Sequence, residues 1–172
     1  KFNFEDNLFI VSLFKDQVKL KIEKKLKIIF PYISINWLEI DKLLPGQLIT
    51  SIEAIKTFNI KGPLIIHNCD TYYSFNIDEI NKFLCKDIFG IIPSFKANGN
   101  HWSFVKTSES DFNQVISVSE KKRISDNCSV GTYIFSDTEI FLNLNNKYLE
   151  NQNSNKFSEN FIAPISQSSL RR

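Results

Sequence analysis

The first half of the chain alternates short apolar segments with stretches of helical spacing. Three apolar segments, Asn7 to Leu13, Ile33 to Ile40 and Leu64 to Asp70, have the composition of strands. The third is a continuous apolar run that opens after Gly62 and Pro63, as in strands buried on both faces of an α/β sheet. We therefore predict three strands within the first seventy residues.

Between these strands the apolar positions recur at the spacing of amphipathic helices. One helix is predicted from Phe14, where apolar residues recur every four positions as far as Leu26, and another from the turn at Pro45 to about Phe58. A third begins at Asn76, a residue type that favours helix N-caps. The order β-α-β-α-β-α, with these connection lengths, favours parallel strands joined by right-handed crossovers.

The second half of the chain changes character. Four segments separated by polar turns have the pattern of strands: Asp87 to Phe95, His101 to Lys106, Asn113 to Glu120 and Ser129 to Phe135. Ser136 to Glu139 has the form of a capping box and predicts a helix to about Glu150. A polar linker at 151–155 precedes a short helix within 161–170. The pattern as a whole predicts an α/β protein, with a parallel half followed by antiparallel strands that extend or cover the sheet.

Length and charge narrow the class of protein. A chain of 172 residues with 42% hydrophobic residues is long enough for one domain with a core and short for two. Its 21 basic and 19 acidic residues are mostly interspersed, which disfavours a nucleic-acid partner because duplex binding needs a concentrated basic face. The densest basic stretch, Lys19 to Lys27, is interpreted as a solvated helix face, with an anionic-partner site as the alternative.

Cysteine usage and hydropathy bear on the compartment. Cys69, Cys85 and Cys128 are odd in number and lack Cys-x-x-Cys spacing, which disfavours a disulfide framework or a zinc site and favours a reducing cytoplasm. The sequence has no apolar run near the roughly 20 residues that span a bilayer, so we expect no membrane partner.

The strongest chemical signal follows the third predicted strand. His67, Asn68, Cys69 and Asp70 form a polar cluster with an acid as its last member. Ligands of open α/β sheets bind just beyond the carboxyl ends of strands, where Asp70 would handle a metal or a phosphate-bearing substrate. The alternative is a loop aspartate that caps the next turn. His67 is interpreted as a hydrogen-bonded residue near the core, rather than as a catalytic base.

Four stretches of the chain, taken in order, resemble one family. They are Leu44 to Thr50, Pro63 to Asp70, Val118 to Lys121 and Val130 to Phe135. Each is a weak motif alone, but together they resemble the sugar-phosphate nucleotidyltransferases of the glucose-1-phosphate thymidylyltransferase type, over nearly the whole chain. The resemblance implies a Rossmann-like three-layer α/β/α fold with a mostly parallel central sheet and antiparallel strands in the second half.

The resemblance also implies two catalytic residues. Asp70 would be catalytic and would bind magnesium, since nucleotidyl transfer needs a hard cation on carboxylates. Lys121 would bind the sugar phosphate as a point charge, and Glu120 would accept hydrogen bonds from sugar hydroxyls. Because a strand alternates its faces, Glu120 and Lys121 can face one pocket only if the strand ends or bends there. The alternative is a solvated, charged strand end.

The remaining implied site residues bind substrate. Gly46, Gln47 and Thr50 would contact the nucleotide base, although a plain turn and helix start explains them nearly as well. Asn68 would bind substrate, and Gly131 would lie beside the sugar pocket. A glycine at 131 would let a ligand approach closely, although a strand glycine can also mark a bulge.

The sequence departs from the family at one hallmark. The family's N-terminal strand is followed by a phosphate loop, Gly-x-Gly-x-x-Arg, whereas the glycines here stand at 46, 62, 90, 99 and 131. The chain also contains no methionine. We therefore expect residues 1–172 to form a single nucleotidyltransferase-like domain that lacks its N-terminal segment and is short at its C-terminus. The second metal-binding acid of the family is not identifiable.

With the resemblance, the sequence predicts a magnesium-dependent enzyme that couples a sugar 1-phosphate, or a similar phosphorylated precursor, to a nucleoside triphosphate. Family analogy alone adds the supply of surface polysaccharide and a homo-oligomer, while cysteine usage favours the cytoplasm. One alternative is a non-catalytic sugar-nucleotide sensor or regulatory relative that lost the phosphate loop. A glycosyltransferase ranks lower, because such enzymes usually carry Asp-x-Asp at the metal strand and Asn68-Cys69-Asp70 has only the last acid.

Overall fold

The computed structural model describes residues 7–16, 21–84 and 88–151, with backbone only for 147–151. The chain divides into two compact units, Lys1–Ile60 and Lys61–Arg172. That residues 1–172 form a single domain stays a prediction. The linker at 151–155 lies almost wholly outside the described residues, and the predicted helix within 161–170 lies wholly outside them.

The first unit contains a parallel pair of strands, as predicted. Strand β1 (Leu8–Leu13) pairs with β2 (Ile35–Ile40) in parallel, and Leu8 lies opposite Ile35. Helix α1 spans Ile22–Ile29 and helix α2 spans Gln47–Phe58. Leu48 is fully buried on α2, which confirms the predicted apolar stripe of that helix.

The helix predicted to run continuously from Phe14 to Leu26 is interrupted. Residues 14–16 are helical, but α1 begins only at Ile22, because Lys21 has a left-handed backbone with φ of 50°. A right-handed helix cannot continue through such a residue. All side chains of α1 are at least partly exposed, and Lys27 pairs with Glu23 at 2.6 Å, as expected of a solvated helix face.

In the second unit, the described residues form two antiparallel sheets and two helices. Its strands are β3 (Leu64–His67), β4 (Gly90–Ile91), β5 (Ser94–Lys96), β6 (Ser103–Thr107), β7 (Val115–Glu120), β8 (Asn127–Ser129) and β9 (Thr132–Phe135). Helix α3 spans Ile77–Leu84 and α4 spans Thr138–Asn151. The sheet orders are β3-β9-β4 and β5-β8-β6-β7. Every residue of β9 is buried, so β9 lies at the centre of this unit.

The predicted strand from Asp87 to Phe95 is two strands. Asp87 lies outside the described residues, and β4 ends at Ile91 while β5 begins at Ser94. Pro93, between them, has no N–H to donate to a ladder, which ends the first pairing. Strand β4 pairs with β9, and β5 pairs with β8.

One of the two predicted helix caps forms, and at the other helix start the neighbouring residue caps instead. The Asn76 side chain accepts a hydrogen bond from the Asp78 backbone at 2.9 Å, and α3 follows. For α4 the capping side chain is Asp137, which accepts from the Glu139 backbone at 2.7 Å. Ser136, the predicted cap, instead donates to the carbonyl of Phe89. Among the described helices, none has the length and apolar composition needed to cross a bilayer.

Candidate functional site

The loop that follows β3 is held against the residue preceding β9. The Asn68 backbone N–H donates to the Gly131 carbonyl at 3.1 Å. Gly131 has a φ of 77°, and a Cβ at this position would lie 2.6 Å from Nδ2 of Asn68. Glycine is therefore required both for the backbone conformation and for the close approach. The structure brings together these two predicted site residues.

Asp70 lies two residues further along the same loop and is exposed. Its Oδ1 accepts a hydrogen bond from the Thr71 hydroxyl at 3.2 Å. Among the described residues, no three His, Cys, Asp or Glu side chains cluster as metal ligands would. Magnesium is commonly held by one or two carboxylates together with substrate phosphates, so an exposed single carboxylate fits that mode of binding.

His67 ties the loop to β9. Its Nδ1 lies 2.7 Å from the Thr132 hydroxyl and its Nε2 lies 2.9 Å from the Thr71 carbonyl. Because a carbonyl only accepts, Nε2 carries a hydrogen. The prediction that His67 is hydrogen-bonded is confirmed, although the residue is exposed rather than near the core. With both nitrogens engaged, His67 positions the loop that bears Asp70.

A small cavity of about 210 Å³ adjoins this loop. It is lined by Ile65, His67, Thr71, Tyr72, Tyr73, Phe75 and Thr132. The Tyr73 hydroxyl is buried and has no hydrogen-bond partner in the structure. Tyr73 and Thr132 were not predicted as site residues. For Tyr73 the available signal was the pair of tyrosines that follows Thr71.

Glu120 and Lys121 lie where β7 ends. Lys121 has a left-handed backbone, with φ of 54°, so the strand stops at Glu120. The strand therefore ends between these two residues, which is the condition for both side chains to face one pocket. Such a backbone costs about 1–3 kcal/mol in a non-glycine residue and persists only where its surroundings fix it. The Lys121 N–H donates to the Trp102 carbonyl at 3.0 Å.

The Glu120 carboxylate belongs to a polar network. Glu120 is half-buried, and its Oε2 accepts a hydrogen bond from the Ser103 hydroxyl on the neighbouring strand β6. The hydroxyl of Tyr133, a residue only 4% exposed, hydrogen-bonds Ser129 and Ser103. Burial raises the pKa of Tyr133, the negative charge of Glu120 raises it further, and the two serine hydrogen bonds oppose the shift. Tyr133 therefore stays protonated beside the carboxylate.

Strand β9 contributes residues both to the hydrogen bonds of His67 and to the Glu120 network. Thr132 binds His67 on one face of the strand, and Tyr133 belongs to the Glu120 network. Successive side chains of a strand point to opposite faces. Sequence reasoning missed Ser103 and Tyr133, because their roles depend on strand pairing between distant segments.

The predicted base-contacting residues lie in the first unit. Gly46 precedes α2 with a φ of 90°, and its carbonyl accepts hydrogen bonds from the Thr50 backbone at 3.2 Å and from the Thr50 hydroxyl at 2.9 Å. Gln47 is the first residue of the helix and is half-buried. The Thr50 hydroxyl therefore donates within the helix, and only its oxygen lone pairs are left for a ligand.

Comparison with known proteins gives matches only among solved structures. No family model and no curated protein matches the chain, whereas 88 solved chains do. The nucleoside-diphosphate-sugar pyrophosphorylase from Vibrio cholerae RC9 superposes with a TM-score of 0.81 and 22% identity, covering 96% of this chain and 69% of that one. A UDP-glucose pyrophosphorylase in complex with UDP-glucose gives a TM-score of 0.69 and 12% identity, with the same coverage.

A third neighbour is a putative glucose-1-phosphate thymidylyltransferase from Bacillus anthracis, with a TM-score of 0.64 and 11% identity. The match covers 95% of this chain and 75% of that one. At these identities the likeness concerns the fold. The predicted α/β class is confirmed, and so is the predicted resemblance, at the level of the fold. The chain has the fold of the sugar-nucleotide pyrophosphorylases and nucleotidyltransferases.

Proposed function

We propose that this protein is a magnesium-dependent nucleotidyltransferase that couples a sugar 1-phosphate, or a similar phosphorylated precursor, to a nucleoside triphosphate and releases pyrophosphate. One observation carries the proposal: an exposed aspartate, Asp70, follows β3 beside the Asn68–Gly131 contact, in a chain whose fold matches a nucleoside-diphosphate-sugar pyrophosphorylase over 96% of its length.

The reaction requires positioning more than proton transfer. A phosphate oxygen of the sugar phosphate attacks the α-phosphorus, and the bond from that phosphorus to the pyrophosphate oxygen breaks. The attacking oxygen is already anionic near neutral pH, so no general base is needed. Catalysis then consists of aligning two anions and stabilising charge on the transferring group. Asp70 would supply a carboxylate oxygen to magnesium, and the bound ion would stabilise the phosphate charge.

Glu120 and Lys121 would hold the sugar phosphate. Lys121 carries a compact positive charge suited to a phosphate. One Glu120 oxygen accepts from Ser103, which leaves the other to accept from a sugar hydroxyl. In the first unit, Gly46, Gln47 and Thr50 would contact the base. We place the reaction in the cytoplasm, supplying surface polysaccharide, in a homo-oligomer that binds neither membrane nor nucleic acid.

The test is pyrophosphate release by the intact protein. Each common nucleoside triphosphate is paired with glucose, galactose, mannose and N-acetylglucosamine 1-phosphates, with magnesium and with EDTA. The proposal predicts release from one pair that EDTA abolishes and added magnesium restores. If no pair yields pyrophosphate while a sugar nucleotide still binds, the protein is a sensor and the proposal is wrong.

A further inference from the structure

The turn after β7 carries three consecutive basic residues, Lys121, Lys122 and Arg123. In the sequence, Arg123 is the last residue of the charged run that begins at Glu120, for which the alternative interpretation is a solvated strand end. In the structure its guanidinium is turned towards the protein. One terminal nitrogen donates to the Ser125 carbonyl at 3.2 Å and to Oδ1 of Asp126 at 2.9 Å.

The other terminal nitrogen of Arg123 donates to the carbonyls of Ala97 at 2.8 Å and Gly99 at 2.7 Å. The two terminal nitrogens of a guanidinium carry four hydrogens in total. Each of these hydrogens therefore has a protein acceptor. The guanidinium carbon also lies 4.8 Å from the ring centroid of Phe104, a fully buried residue of β6. Arg123 is thus anchored on the core by a cation–π contact.

These acceptors belong to two turns. Ser125 and Asp126 are in the turn between β7 and β8, and the other two carbonyls are in the turn 97–102 between β5 and β6. Within that second turn, Nε1 of Trp102 donates to the Asn98 carbonyl at 3.0 Å. The Trp102 carbonyl in turn accepts from the Lys121 backbone. Arg123 therefore fixes the segment that holds Lys121 in its left-handed conformation.

We propose that Arg123 is a positioning residue that places Lys121 to bind the phosphate of the sugar phosphate, and is not itself a phosphate ligand. The inference rests on the proposed function, because it gives Lys121 that role. The planar fork of the arginine side chain is essential to this positioning role. A lysine at 123 would keep the charge but present three donors on a single nitrogen, which cannot reach four acceptors on two turns.

The test compares Arg123→Lys with Lys122→Ala, a matched change at an exposed position of the same turn. Hydrogen exchange of backbone amides is followed at Lys121 and in residues 97–102, with the buried Val118 of β7 as internal reference. In parallel, KM is measured for the sugar phosphate and for the triphosphate, using the pair that releases pyrophosphate. Asp126→Asn, which removes only one acceptor charge, serves as a milder variant should Arg123→Lys fail to fold.

For Arg123→Lys we expect faster exchange at Lys121 and in 97–102 with Val118 unchanged. KM for the sugar phosphate should rise about tenfold, while KM for the triphosphate stays within about twofold. Lys122→Ala should change neither. Unchanged exchange at Lys121, or equal rises in both KM values, would overturn the inference. If the intact protein releases no pyrophosphate from any pair, the proposed function is wrong. The hydrogen-exchange data would still show whether Arg123 holds the Lys121 backbone.

Discussion

Two acidic residues at strand ends, Asp70 after β3 and Glu120 at the end of β7, are held in opposite ways. The Asp70 carboxylate is exposed, with the Thr71 hydroxyl as a donor. The Glu120 carboxylate is half-buried, bonded to Ser103 and adjacent to the protonated Tyr133. An exposed carboxylate suits a hydrated cation and its phosphates, whereas a fixed acceptor suits recognition of hydroxyl groups at defined positions. We therefore propose that the Asp70 loop handles the charge of the metal and its phosphates, and that the Glu120 turn selects the sugar.

The Asp70 loop depends on a close approach that only glycine permits. Gly131→Ala should lower the free energy of unfolding by about 2 kcal/mol, from the positive φ and the displaced Asn68 side chain. Gly62 is a matched control, since its φ is 79° and an added Cβ would meet nothing within 4 Å. Urea unfolding measures both variants. Equal losses for the two variants would mean that the clash between the added Cβ and Asn68 has no effect on stability.

The Glu120 turn should select the sugar phosphate. Glu120→Gln removes the charge but keeps the shape, and should raise KM for the sugar phosphate about tenfold, or about 1.4 kcal/mol. KM for the triphosphate should stay near the wild-type value. Steady-state kinetics with each substrate varied in turn measures the split. A change confined to the triphosphate would reverse the assignment of the two acids.

Burial of Tyr133 makes the stability of the protein depend on pH in the alkaline range. Because the pKa of Tyr133 is raised by burial above the ordinary 10.0, the unfolded chain loses this proton first as the pH rises. The contribution of Tyr133 to the free energy of unfolding is therefore full below about pH 10. Above that pH it falls by at most about 1.4 kcal/mol per pH unit. Urea unfolding from about pH 8 to about pH 11 should show a shallower loss for Tyr133→Phe than for wild type. Parallel pH profiles would show that Tyr133 does not carry this dependence.

Sequence patterns identify residues at the ends of strands more readily than the hydrogen-bond network around Glu120. The signal for Asp70 is local, an apolar run that ends in polar residues, whereas Asn68 and Gly131 were implied only by the family resemblance of the segments that contain them. Ser103 and Tyr133 could not be found, since Ser103 lies opposite Glu120 only through the β6–β7 register. That register joins residues 17 positions apart.

The interrupted elements have a different cause. The apolar spacing from Phe14 to Leu26 is helical throughout, but the spacing does not encode the left-handed backbone at Lys21. Similarly, the run from Asp87 to Phe95 has strand composition, and the proline within it decides where one pairing ends and the next begins. Patterns of hydrophobicity predict the type of an element more reliably than its continuity.

Calorimetry measures whether Asp70 contributes to magnesium-dependent binding of the triphosphate. The intact protein and Asp70→Asn are titrated with each nucleoside triphosphate, with and without magnesium. Asp111→Asn, an exposed loop substitution that keeps the acceptor for the Asn113 backbone, is the control. We expect one triphosphate to bind only with magnesium, and to bind Asp70→Asn about tenfold or more weakly than wild type or the control. Magnesium-dependent binding that is unchanged in Asp70→Asn would contradict a metal-binding role for Asp70.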